Sequence, residues 1–137
     1  MLAPPDSVDA LLAANAAFYA AFNARDVAAI ADLLAAGTTA TCIHPGWRPL
    51  FGRDTVLAAW RAVFAGPPAP PLVCEDPVGM LVGRAGLVVC LERLGEAVLA
   101  ASNLFVSEHG LWRLAHHQAG PTALRMKRML PASRRLH

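Results

Sequence analysis

Between residues 8 and 64 the apolar residues recur at three- and four-residue steps, whereas from Leu72 onward they fall into extended runs; this one change of period limits the fold more than any motif does. Val8, Leu11, Leu12, Phe18 and Phe22 predict a first helix from an Asp6 or Ser7 cap to about Ala24, with Asp9 as the acid of its first turn. Asp26 caps a second helix carrying Val27, Ile30, Leu33 and Leu34, and Gly37 supplies a left-handed stop. Asp54 or Thr55 opens a third, with Val56, Leu57, Trp60, Val63 and Phe64 on one face and Gly66-Pro67-Pro68 at its end. Between the last two, Thr38–Ile43 is β-branched and short enough for a strand, His44-Pro45-Gly46 closes it, and a loop runs from Trp47 to Gly52. The later runs, LVCEDPVGMLV, LVVCLERL, AVLAASNLFV and LWRLAHHQA, are divided by Gly83–Gly86, Gly95 and Ser107–Gly110, spacings suited to hairpins. Helices followed by a meander predict an α+β fold, with three N-terminal helices packed in the concave face of a strongly curved antiparallel or mixed sheet.

A length of 137 residues predicts one domain over 7–122, with an N-terminal extension (1–6) and a basic C-terminal tail (123–137). Hydrophobic residues make up 55% of the chain and charged ones 16%, which excludes disorder. Twenty-eight alanines dilute that surplus, but what remains points to an enclosed pocket, a subunit interface or both. The formal charge of +2 divides unevenly: residues 1–124 hold 7 basic and 10 acidic groups, while Arg125, Lys127, Arg128, Arg134 and Arg135 crowd the tail. With no aromatics to stack on bases, the tail is read as solvated and no nucleic-acid partner is expected. The longest uncharged runs, Ala10–Ala24 and Leu33–Trp47, are 15 residues each, short of the ~20 a membrane span needs, so no membrane partner is expected either. Three cysteines without CxxC spacing, and an N-terminus with Asp6 and Asp9 in place of a basic n-region, predict a cytoplasmic protein.

Strand parity sorts the last hairpin. With Ser107–Gly110 as its loop, Leu99, Ala101, Asn103 and Phe105 share a face with Trp112, Leu114, His116 and Gln118; the two large aromatics assign that face to the interior. His117 falls on the opposite, outer face, unless a one-residue bulge in the loop exchanges the faces and makes it the inner histidine. The opposite face, with Val98, Ala100, Leu104, Val106 and Leu111, is also largely apolar, as expected for a homodimer joined through the outer sheet face.

The element order, with FNARDVAAIADLL in the helical corner, CIHPGW followed by FGRDTVLAAWRAVF, and NLFVSEHGLWRLAHHQAGP near the end, resembles the nuclear transport factor 2-like superfamily, in particular its SnoaL-like branch, over roughly residues 7 to 122. The resemblance implies a cystatin-like cone, a curved sheet around helices enclosing a deep apolar pocket, and commonly a homodimer. In the ketosteroid isomerase relatives it implies an aspartate base, and an oxyanion hole of a tyrosine and a second acid. In this chain His44 falls at the base position, Phe18 at the tyrosine and Asn103 at the second acid, so what the resemblance leaves is a proton-transfer pair rather than steroid isomerisation.

The candidate catalytic residues are therefore His44 as general base, and Asn103 and His116 as holders of an enolate oxygen. Each also has a structural reading: His44 as a strand-end residue bonded to backbone, His116 as a satisfied core histidine, Asn103 as a clamp on loop backbone. Phe18, Trp47, Phe51 and Trp60, with Phe105, Trp112, Leu114 and Gln118, are candidate pocket walls. Arg48 and Arg53 flank the loop at the expected pocket mouth. Cys42, His44 and His116 offer three zinc ligands, but without HExxH or CxxC spacing neither a metal nor another cofactor is assigned. The expected activity is cofactor-free isomerisation, dehydration or cyclisation of a small hydrophobic ligand such as a carbonyl compound. The alternative is a non-catalytic ligand-binding or homodimeric association module.

Overall fold

A computed structural model describes residues 7–125, so the N-terminal extension and nearly all of the basic tail lie outside the described residues. Ser7 caps α1 (Val8–Asn23), its hydroxyl accepting from the Ala10 N–H at 3.1 Å. Arg25, at φ 54°, turns the chain into α2 (Val27–Leu33), where the Asp26 carboxylate accepts from the Ala29 N–H. Helix α2 does not run to Gly37. Leu34 is already extended (ψ 145°), and the Ala35 N–H bonds to the Leu114 carbonyl at 2.9 Å, a sheet contact that outcompetes a further helical turn. The Arg53 guanidinium donates to the carbonyls of Ala31 (2.6 Å) and Leu34 (3.3 Å) at the end of α2, so α2 needs no glycine stop.

Strand β1 (Thr41–Ile43) is shorter than the sequence suggests. The predicted loop after it contains a two-residue strand, β2 (Leu50–Phe51), too short to carry a period. Helix α3 (Arg53–Ala65) follows Gly52, whose φ of 94° suits glycine alone. Strands β3 (Leu72–Val82), β4 (Ala85–Leu94), β5 (Ala97–Glu108) and β6 (Leu111–Arg125) form a meander. Its turns are the two-residue pairs Gly83-Arg84, Gly95-Glu96 and His109-Gly110, the first and last tighter than the loops expected from sequence and the second where Gly95 places it. The sheet order is β2-β1-β6-β5-β4-β3, and it is mixed because β1 lies parallel to β6.

Helix α1 lies across β3 and β4 on the inner face, burying Leu11, Phe18 and Tyr19. Glycine at position 86 is what permits this approach, since a Cβ there would sit 2.6 Å from Leu11 Cδ1. On the opposite face no helix among the described residues covers Val78, Val82 and Val89, which remain 58%, 56% and 40% exposed.

Two irregularities shape the sheet. One falls between Glu75 and Val78, where Asp76 adopts φ 52°. The other decides the site: Leu104 pairs with His116 and Phe105 with Leu114, leaving Ala115 as an extra residue in β6. Before this bulge Trp112 and Leu114 face inward with Phe105, as parity predicts. Beyond it parity is shifted by one, so His117 and Ala119 turn inward, Gln118 is exposed, and His116 lies on the outer face.

Candidate functional site

Between the sheet, α1 and α3 lies a cavity of about 250 Å³. Its walls are mostly apolar: Phe18 and Phe22 from α1, Trp60 and Val63 from α3, and Leu72, Leu94, Leu99 and Ala119 from the sheet. Pro45 and the half-exposed Trp47 stand at its rim, so the segment following β1 forms part of the entrance. Three titratable groups reach the same space: His44 just beyond β1, Glu92 on β4 and His117 on β6.

His44 is buried, its ring edge-on to Trp60 (centroids 4.6 Å apart) and Trp47 (4.9 Å). Burial lowers its pKa below the ordinary imidazole value, so it is neutral at pH 7. Its Nε2 lies 3.6 Å from the Cys42 thiol, whose own pKa is pushed up to about 12, first by burial and then by the charge of Glu92. His117 packs against Phe18 at 4.9 Å and Trp60 at 6.1 Å. Its pKa is pushed down to about 3, by burial first and then by repulsion from His44 and His116.

Glu92 is 2% exposed and accepts the Tyr19 hydroxyl hydrogen at 2.6 Å on Oε2. Burial raises its pKa and the Tyr19 hydrogen bond opposes that rise. Tyr19 in turn is held well above the usual phenol range by burial and by the neighbouring carboxylate. Behind the cavity wall Asn103, fully buried, joins the groups together: Nδ2 donates to Asn15 Oδ1 (2.8 Å) and Tyr19 Oη (3.1 Å), and Oδ1 lies 2.5 Å from His117 Nδ1. A continuous buried chain, Glu92–Tyr19–Asn103–His117, thus begins and ends on one cavity.

Of the residues singled out from sequence, His44, Phe18, Trp47 and Trp60 lie on the cavity. Asn103 is one layer behind it. His116 is a correction: the Ala115 bulge turns it to the outer face, where Nδ1 bonds Thr41 Oγ1 at 2.6 Å. Gln118 is exposed for the same reason, and Phe51, 66% exposed on β2, lies outside the pocket. Phe105, Trp112 and Leu114 are buried in the core on the other side of the bulge rather than on the cavity, and Trp112 Nε1 has no hydrogen-bond partner among the described residues. Arg53 is occupied with α2, and Arg48 is exposed. Among the described residues no group of three or more His, Cys, Asp or Glu could hold a metal ion.

Sequence reasoning missed Asn15, Tyr19 and Glu92. The signal for Glu92 was present: Val88, Cys90 and Glu92 alternate along β4 and all three are buried. Asn15 and Tyr19 stand four apart on α1, one turn above the other.

Residues 11–123 match the family model described as SnoaL-like domain, and the chain belongs to that family, the SnoaL-like branch of the NTF2-like proteins. A candidate dehydratase of the NTF2-like family from Streptomyces avermitilis is 26% identical; the match covers 84% of this chain and 95% of that one, with a TM-score of 0.76. A candidate calcium/calmodulin-dependent protein kinase type II association domain from Thiobacillus denitrificans is 30% identical over 81% of this chain and 94% of that one, with a TM-score of 0.73. A ketosteroid isomerase-like protein from Erwinia carotovora atroseptica shares the fold at 17% identity and a TM-score of 0.70, over 86% of this chain and 98% of that one. No curated protein matches the chain. None of its described helices is long and apolar enough to cross a membrane.

Proposed function

We propose that the cavity carries out cofactor-free proton transfer of the isomerase or dehydratase type on a small, largely hydrophobic carbonyl compound. The observation that carries this reading is the convergence of His44, Glu92 and His117 on one apolar space, two as neutral imidazoles and one as a carboxyl group whose pKa burial raises. His44 takes the proton from the carbon beside the carbonyl, and Glu92, held by Tyr19, is the second group able to exchange one. Asn103 does not reach the cavity; it is a positioning residue that orients Tyr19 and His117. The Streptomyces protein named a candidate dehydratase supports the same chemistry by likeness.

Solvent deuterium exchange into enolisable ketones such as cyclohexanone tests the reading. Exchange catalysed by the wild type and lost in both His44→Ala and Glu92→Gln is expected, and equal rates in all three would remove both residues from the mechanism. A second reading, a homodimeric association or ligand-binding module, is favoured by the uncovered apolar face around Val78, Val82 and Val89. We propose a homodimer through that face under either reading, located in the cytoplasm as the three free cysteines suggest. Dimer mass with no exchange activity on any ketone would favour the second.

A further inference from the structure

The buried chain between Glu92 and His117 has a direction. Asn103 presents its amide nitrogen to two acceptors, Asn15 Oδ1 at 2.8 Å and Tyr19 Oη at 3.1 Å, which leaves its carbonyl oxygen for His117. An amide oxygen only accepts, so the proton of the neutral His117 ring sits on Nδ1. Tyr19 Oη receives the Asn103 N–H, and its single hydrogen goes to Glu92 Oε2 at 2.6 Å. Every hydrogen bond therefore donates toward Glu92, from His117 Nδ1 through Asn103 and Tyr19 to the carboxylate.

The two ends inherit that direction. With Nδ1 protonated, His117 Nε2 carries a bare lone pair, and it has no hydrogen-bond partner among the described residues. Glu92 Oε1 is likewise an acceptor without a partner among them. Only Trp112 Nε1 is both sealed from open space and unpartnered among the described side chains, so these two acceptors are reachable, and the space their residues line is the cavity. Among the described residues no lysine or arginine lines it.

We infer that the cavity selects a ligand by a hydrogen-bond donor it carries, a hydroxyl on a small apolar skeleton seated between His117 Nε2 and Glu92, in preference to the same skeleton bearing only a carbonyl. This deepens the reading above, since it rests on the same cavity being the ligand site, but it does not depend on catalysis. It makes the substrate a carbonyl compound that also carries a hydroxyl, the hydroxyl being the group the two acceptors recognise. A hydroxyl hydrogen pairs one of the two acceptors whereas a carbonyl oxygen pairs neither, and one neutral hydrogen bond with one fewer stranded acceptor corresponds to a selectivity of about tenfold or more.

Two measurements on the wild-type protein at pH 7.5 test the inference. The first is the ring tautomer of His117, read from its ¹⁵N and ¹³C chemical shifts. The Nδ1–H form is expected, and the Nε2–H form, which requires both amides to turn over and Glu92 to donate to Tyr19, overturns the inference. The second compares binding of cyclohexanol and cyclohexanone, followed by tryptophan fluorescence. The alcohol is expected to bind at least about tenfold more tightly, with the gap narrowing in Glu92→Gln, whose amide supplies a donor. Equal or tighter binding of the ketone overturns the hydroxyl preference while leaving the cavity as a ligand site. Failure of both probes to bind overturns the cavity as a ligand site and this inference with it. Ketone exchange activity accompanied by the Nε2–H tautomer would sustain the proposed chemistry and sink only the inference.

Discussion

Acidification is the perturbation that addresses the interior most directly. His117 is buried as a neutral ring with its pKa at about 3, against roughly 6.5 for histidine in an unfolded chain. Below about pH 6.5 the unfolded state binds a proton that the folded state refuses, so the stability this residue lends is complete at neutral pH and drains away as pH falls toward about 3. Each unit of pH in that window is worth about 1.4 kcal/mol, so at pH 4 the loss from His117 alone is about 3 kcal/mol, a large share of a marginal ~5–15 kcal/mol. Glu92 works in the opposite sense. Its folded pKa is raised, so its contribution is complete at low pH and lost as pH rises through the shifted value, which partly offsets the histidine on acidification. His117→Asn isolates the effect, because its amide nitrogen can still donate to Asn103 Oδ1 while nothing remains to titrate. At pH 7 the variant should be destabilised through lost packing against Phe18 and Trp60. Urea unfolding followed by tryptophan fluorescence at pH 7, 5.5 and 4 should show the wild type losing about 3 kcal/mol more than the variant. Parallel pH profiles for the two proteins would refute the buried neutral assignment of His117.

Other expectations concern packing, polarity and assembly. Gly86→Ala should cost about 1–3 kcal/mol, because the new methyl meets Leu11 Cδ1 at 2.6 Å and Cδ2 at 2.9 Å and the fully buried Leu11 must shift; an unchanged melting temperature would mean that α1 does not lie where described. Asn103→Leu should destabilise by about 3 kcal/mol, since it strands buried polar groups on Asn15, Tyr19 and His117 at once; denaturant midpoints check this, and a neutral result would deny the network its role. If the proposed homodimer forms through the uncovered face, the wild type should elute as a dimer in sizing at micromolar concentration and Val89→Lys as a folded monomer with an unaltered circular dichroism spectrum. A dimer that survives it would place the interface elsewhere.

The order of elements was readable because helices and strands differ in period, and long runs such as residues 8–23 and 97–108 display theirs several times over. Short elements give no such repetition, which is why β2 passed for loop and β1 was drawn too long. His44 was found through the family resemblance, which sets it at the position of the catalytic base, and its place on the cavity wall agrees with that choice. Glu92 was legible in principle from the alternation of β4, but a glutamate in a strand is by default a solvent residue, and it is the Tyr19 hydroxyl, 73 positions away, that makes its burial tolerable. A partner so remote is settled by the tertiary fold. His116 and His117 were the hardest to assign, because nothing in LWRLAHHQA marks where the ladder takes up its extra residue.

That extra residue also bears on how chains of this kind are compared. If Ala115 were deleted, Leu114 could stay opposite Phe105, and His116 and His117 opposite Leu104 and Asn103, with the ladder simply closing up. A relative shorter by one codon at this place would then keep both imidazoles on their present faces. An alignment that puts its gap a few columns away would match His117 to a residue on the other side of the sheet, and would score a preserved site as a lost one.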